Sequence, residues 1–172
     1  MPFSFAIPAL GTWLRLGALA LMLVALGGCG FALRGSAQLP PELRTLYLEG
    51  LEQDSDMLRE VRRALTNNRV ELAEEPDMLY RLGIGREQRS ERVVSVNVNA
   101  RAGEYELTLA LPWQLRQGDV TVAGPENLTL SRVYLADPEN AVAKGQEAEQ
   151  ILREMRQDLS YQLLRRLQAL PL

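Results

Sequence analysis

Residues 104–116 read Glu-Tyr-Glu-Leu-Thr-Leu-Ala-Leu-Pro-Trp-Gln-Leu-Arg, with a large apolar side chain at every odd position. Tyr105, Leu107, Leu109, Leu111, Trp113 and Leu115 therefore share one face of a strand, and Glu106, Thr108, Ala110, Pro112, Gln114 and Arg116 share the other. A strand so patterned buries one side and wets the other, as in a sheet covered on a single face. Pro112 falls on the polar register. It cannot donate a ladder hydrogen bond, so an edge position or a bulge is expected there.

The segments on either side follow the same rule. Upstream, Tyr80, Leu82 and Ile84 alternate with Leu79, Arg81 and Gly83. After a charged patch, Val94, Val96 and Val98 alternate with Ser95, Asn97 and Asn99. Together these count as one strand, joined to the central one through a turn at Arg101-Ala102-Gly103. Downstream, Leu128 to Leu135 makes a last strand whose alternation breaks near Arg132. Leu43 to Leu48 supplies a short first strand behind the Pro40-Pro41 pair, which holds the chain extended.

Two helices complete the pattern. Asp54, Ser55 and Asp56 are N-cap residue types ahead of Leu58, Val61, Ala64 and Leu65, and Asn67-Asn68 ends that helix. Asp137-Pro138 offers a cap followed by proline at the first helical position. From there Ala148, Ile151, Leu152, Met155, Leu159, Leu163, Leu167 and Leu170 recur at steps of three and four, with Glu149 and Arg153 paired on the wet side. Gly145 is expected to interrupt or delay the first turns. The fold class is α+β: a two-layer α/β sandwich of order β-α-β-β-β-α, with a mostly antiparallel four-stranded sheet and two helices on one face.

The N-terminal part is read differently. An apolar run from Leu16 to Leu26, preceded by Arg15, ends in Leu26-Gly27-Gly28-Cys29, and Cys29 is the only cysteine among 172 residues. The run is shorter than the ~20 residues a spanning helix needs and fits the h-region of a signal peptide. The small residues before a lone thiol mark a lipoprotein processing site. Residues 1–28 are thus expected to be a cleaved signal peptide, 29–41 a lipidated N-terminus and linker, and 42–172 a single domain. Cys29 would carry covalent diacylglycerol and an acyl chain, anchoring the protein more firmly than one myristoyl chain does. Gly30, rather than aspartate, follows the cysteine. The rule for bacterial lipoproteins then points to the outer membrane, on its periplasmic side.

Composition removes several chemistries. There is no histidine, and the anchor consumes the one thiol. Histidine acid–base catalysis, thiol nucleophiles and zinc held by nitrogen or sulfur are excluded. Lys144 is the only lysine and lacks a Ser-x-x-Lys spacing. Asp54-Ser55-Asp56 lacks the glycine and bidentate glutamate of a calcium loop. No enzymatic activity, cofactor or metal is expected. Without the leader, 18 basic residues face 22 acidic ones, which speaks against a nucleic-acid partner.

The quoted stretches also resemble a known family. Cys29-Gly30-Phe31-Ala32-Leu33-Arg34, Glu104-Tyr105-Glu106-Leu107, Ala141-Val142-Ala143-Lys144 and the helix from Met155 to Arg165-Arg166-Leu167 are similar, in this order, to the lipopolysaccharide-assembly lipoproteins of the Gram-negative outer membrane. The resemblance implies a plug inside the lumen of a large outer-membrane β-barrel translocon, as a heterodimer, binding lipopolysaccharide and assisting its delivery to the cell surface. A polar sheet face suits a polar lumen. In the family, basic residues near one end of the sandwich contact lipopolysaccharide phosphates. Lys144 matches one of them, after the alanine-rich tetrapeptide, and Arg101 stands for the other, before the Glu-Tyr pair. A second reading stays open at this point: a scaffold or pilotin-like lipoprotein escorting another outer-membrane barrel or a secretin.

Overall fold

A strand–helix–strand beginning followed by long alternating segments builds a curved sheet under two helices. The computed structural model describes residues 39–50, 52, 54–74, 80–96, 102–135 and 141–172, all within the unit Ala37–Leu172. After a single 3₁₀ turn at Pro41–Leu43, the elements are β1 (Thr45–Gly50), α1 (Asp56–Asn67), β2 (Glu71–Leu72), β3 (Tyr80–Ile84), β4 (Gln88–Val96), β5 (Ala102–Gln117), β6 (Val120–Leu135) and α2 (Ala141–Gln168).

The class and the helices agree with the sequence reading, and the strand count does not. The sheet has six strands rather than four, and its pairing is mixed. β1 runs parallel to both β2 and β3, whereas β5 is antiparallel to β3, β4 and β6. The parallel pairs arise because α1 serves as a crossover that returns the chain to the same end of the sheet. β2, at two residues, is too short to show a period.

The stretch expected as one strand from Tyr80 onward is two, β3 and β4, and Pro112 explains the break. β3 pairs with Trp113–Gln117 and β4 with residues 102–110 along the same edge of β5. The Gly85 N–H donates to the Pro112 carbonyl at 2.8 Å, so Pro112 turns its backbone toward that edge. Its missing N–H faces the gap between the two strands, where no partner is left wanting. Pro112 therefore lies in the most central strand and marks an interruption of its neighbour.

β6 begins at Val120, well before Leu128. A two-residue hairpin, Gly118-Asp119, joins it to β5, with Gly118 at φ 55°, and glycine at such a turn matches the twist of the strands. Farther along, the register shifts opposite Trp113–Arg116. Gly124 there has φ 78°, and a Cβ on it would come within 2.7 Å of the Trp113 carbonyl oxygen.

The inward rows meet in register. Leu48, Leu82 and Leu115 align across three strands, as do Leu111 with Leu128 and Leu109 with Leu130. They pack with Leu58, Val61 and Leu65 of α1 and with Leu152, Met155, Leu159, Leu163 and Leu167 of α2 in one buried cluster. Ser55 caps α1, its hydroxyl accepting from the Leu58 N–H. At the other end Arg69, not an asparagine, takes the left-handed conformation, at φ 63°, while the Asn68 side chain donates to the Ala64 carbonyl. α2 passes through Gly145 without interruption. The expected cap at Asp137-Pro138 lies outside the described residues, and no described helix is long and apolar enough to cross a membrane.

Candidate functional site

The first turn of α2 comes down over the end of the sheet where β4, β5 and β6 run side by side. Lys144, on this first turn, reaches the sheet with its long side chain. Its Nζ sits 3.4 Å from the centroid of the Tyr105 ring and 3.0 Å from Glu91 Oε1. Strand register supplies the rest. Val93 and Tyr134 are the Cα partners of Tyr105 on its two sides, and the Tyr105 and Tyr134 rings stack at 5.7 Å with 25° between their planes. An ammonium on an aromatic face is worth about 0.5–2 kcal/mol, more as water is excluded.

The electrostatics follow from this packing. Burial would lower the pKa of the Lys144 ammonium, but its hydrogen bonds with Glu91 and Tyr105 and the Glu91 charge outweigh it, and the net shift is upward. Lys144 is thus a fixed positive charge. The Tyr134 hydroxyl is pushed up by burial and by the Glu91 carboxylate, with Lys144 pulling the other way. That hydroxyl is buried, and Glu91 is the hydrogen-bonding group set against it. Two residues before Glu91 on the same inward row, Arg89 holds Glu91 Oε2 at 3.8 Å and Glu149 of α2 at 3.1 Å.

Apolar side chains at this end of the sheet stay unburied, Val93 beside the cluster and the others off its inward row. Of the seven exposed large hydrophobic residues among those described, five lie at this end: Val93, Val94, Val96, Val133 and Leu135. Val94 and Val96, expected on the buried face, are exposed because the inward row of β4 opposite Leu109, Leu107 and Tyr105 is Arg89, Glu91 and Val93. Val133 and Leu135 are the partners of Glu106 and Glu104 on the uncovered sheet face.

Of the residues singled out from sequence, the structure places Lys144 in this cluster, while Arg101 and Cys29 lie outside the described residues. Glu91, Arg89 and Tyr134 are site residues that sequence reasoning missed. Tyr105 is visible there only as part of the Glu-Tyr pair. Nothing in one chain reveals which residue of a neighbouring strand stands opposite, so the charged patch that reads as a spacer is in fact the wall of the site. The cluster offers one ammonium and an exposed apolar flank at Val93. Such a set can hold an anionic oxygen attached to a greasy molecule.

A shallow groove of about 320 Å³ opens on the other, helix-free face, lined by Glu49, Gly83, Gly85, Pro112, Gln114 and Arg116. Gly83 and Gly85 leave it open by having no side chains. Around it the face is polar, as in the Thr108–Ser131 hydroxyl pair at 2.8 Å and the Arg92–Glu106 pair at 2.5 Å.

Known proteins with the same pattern sharpen this picture. The lipopolysaccharide-assembly family LptE matches residues 43–167. An LPS-assembly lipoprotein LptE from Yersinia enterocolitica is 33% identical over 155 residues, covering 87% of this chain and 72% of that protein. Its counterpart from Yersinia pestis is 32% identical over the same length. Among solved structures, the rare lipoprotein B of Shewanella oneidensis superposes with a TM-score of 0.65 at 25% identity, over 70% of this chain and 91% of that one. Lipoprotein B of Nitrosomonas europaea gives 0.66 at 22% identity, over 81% and 91%, and shares the fold.

Proposed function

This chain belongs to the LptE family of lipopolysaccharide-assembly proteins, and from that premise we propose that it binds lipopolysaccharide and plugs a large outer-membrane β-barrel that delivers it to the cell surface. In this reading Cys29 bears the diacylglycerol and acyl chains, and the protein works as a non-enzymatic lipoprotein on the periplasmic side of the outer membrane. The names of the relatives, lipoproteins of lipopolysaccharide assembly, support the anchor and the pathway.

One observation carries the binding role. Lys144 is an ammonium held in place on Tyr105 at the end of the sheet where five apolar side chains are exposed. Lipid A joins phosphates to acyl chains, and this surface joins a fixed cation to unburied apolar area. A phosphate oxygen would meet Lys144 in a charge-assisted hydrogen bond. Arg101, in the segment joining β4 to β5, is the second proposed contact. Support for the barrel partner comes from the helix-free sheet face, whose serine, threonine, glutamine and arginine side chains suit a polar lumen.

Recovery of the tagged full-length protein from outer membranes in mild detergent, with mass spectrometry of what accompanies it, tests the barrel. A stoichiometric large β-barrel carrying lipopolysaccharide is the expected result. A secretin in its place would favour the scaffold reading. For the site, Lys144→Asp combined with Arg101→Asp is expected to weaken lipopolysaccharide binding while the far-ultraviolet circular dichroism stays unchanged. A folded double variant that binds as before would remove these two residues from the site.

A further inference from the structure

Lys144 already has an anionic partner. Glu91 occupies its Nζ at 3.0 Å, and the two side chains are similarly exposed, at 28% and 26%. A phosphate approaching Lys144 meets a carboxylate first. Two anions on one ammonium repel each other, so the entering group competes with Glu91 for it.

The structure shows where Glu91 would go. Its second oxygen, Oε2, already faces Arg89 Nη2 at 3.8 Å, longer than a hydrogen bond. Residues 89 and 91 lie on the same inward row of β4, opposite Leu109 and Leu107, so a side-chain rotation alone closes that distance.

We propose that Glu91 is a resident counter-ion exchanged between Lys144 and Arg89: an entering phosphate takes Lys144, and the carboxylate moves onto Arg89. This rests on the reading of Lys144 as the lipopolysaccharide phosphate site and adds a selectivity element to it. Without ligand the ammonium is satisfied, so the site does not capture weak or singly charged anions. A dianionic phosphate monoester competes better than a carboxylate, and the displaced Glu91 is never left unpaired. Arg89 is held from behind by Glu149 of α2 at 3.1 Å, which keeps its guanidinium in position to receive the carboxylate.

The test is equilibrium binding of bisphosphorylated lipid A in detergent micelles to the full-length protein and three near-isosteric variants, each checked for unchanged circular dichroism. Glu91→Gln removes the competitor and is expected to tighten binding by about three- to fivefold, the scale of one half-exposed ion pair. Arg89→Gln takes away the receiving cation and is expected to weaken it by about two- to threefold. Lys144→Gln is expected to weaken it more than either changes it. Weaker binding by Lys144→Gln with no gain from Glu91→Gln would overturn the exchange while leaving the site standing. A gain from Glu91→Gln with no loss from Arg89→Gln would overturn the role given to Arg89. Unchanged binding by Lys144→Gln would remove the site itself.

Discussion

From Leu107 to Leu115 every inward side chain of β5 is essentially sealed from water, with Leu107, Leu109, Leu111 and Leu115 at 0% exposure. Toward Ala102 the same inward row runs out at Tyr105, only part-buried, beside Val93 at 50% exposure. One strand, with one alternation, thus serves a closed core at one end and an open surface at the other. The cause is the layer above it. Both helices cover the closed end, whereas only the first turns of α2 reach the open end. Alternation confers two faces on the strand, and the length of the helical layer decides how much of the inner face becomes core.

That contrast can be broken by substitution. Leu109→Ala at the closed end leaves a cavity and is expected to lower the free energy of unfolding by about 2–5 kcal/mol in urea titrations. Arg156→Ala comes next. Its guanidinium, 11% exposed, makes two bonds of 2.8 Å to Glu87 and reaches Asp56 at 3.3 Å. Losing it strands a half-buried carboxylate, a cost of about 1–3 kcal/mol by the same measurement. At the open end, Val93→Ser is expected to change unfolding by no more than about 0.5 kcal/mol, yet to weaken lipid A binding in micelles. A loss of stability from Val93→Ser comparable to Leu109→Ala would show the two ends to be one core after all.

Much of this architecture is legible in the sequence, because it depends on local periodicity. The α1 stripe, the α2 stripe and the two-faced central strand are all visible as spacings of apolar residues. What depends on pairing is not. Glu91 sits under Lys144 only because β4 pairs with β5 so as to set it opposite Leu107, and no spacing within β4 states that register. The valines of β4 mislead for the same reason: alternation names two faces without saying which one the helices cover. Arg132 is a different case. It breaks the apolar alternation of β6 on the inward face, and it stays there because Glu154 and Asp158 of α2 meet it at 2.7 and 2.5 Å. The Gly118-Asp119 hairpin carries a readable turn signal that the exposed residues around it obscure. Lys144 is legible through family resemblance alone.

The gap between β3 and β4 solves a problem of alignment elsewhere in the molecule. The inward stripe of α2 repeats nearly every turn, at Leu152, Met155, Leu159, Leu163 and Leu167. Sliding the helix by one turn, about 5.4 Å, would bury nearly the same leucines. Hydrophobic contact by itself is therefore a poor ruler along this axis. Glu87 stands in the gap that Pro112 leaves, and Arg156 reaches from α2 to grip it, while Asp56 at the start of α1 holds the same guanidinium. Three elements are pinned at one point, and only one position of the helix satisfies all of them. Lys144 sits about three turns toward the N-terminus from that pin, so the missing hydrogen bond of a proline sets, at a distance, the height at which the ammonium hangs over Tyr105.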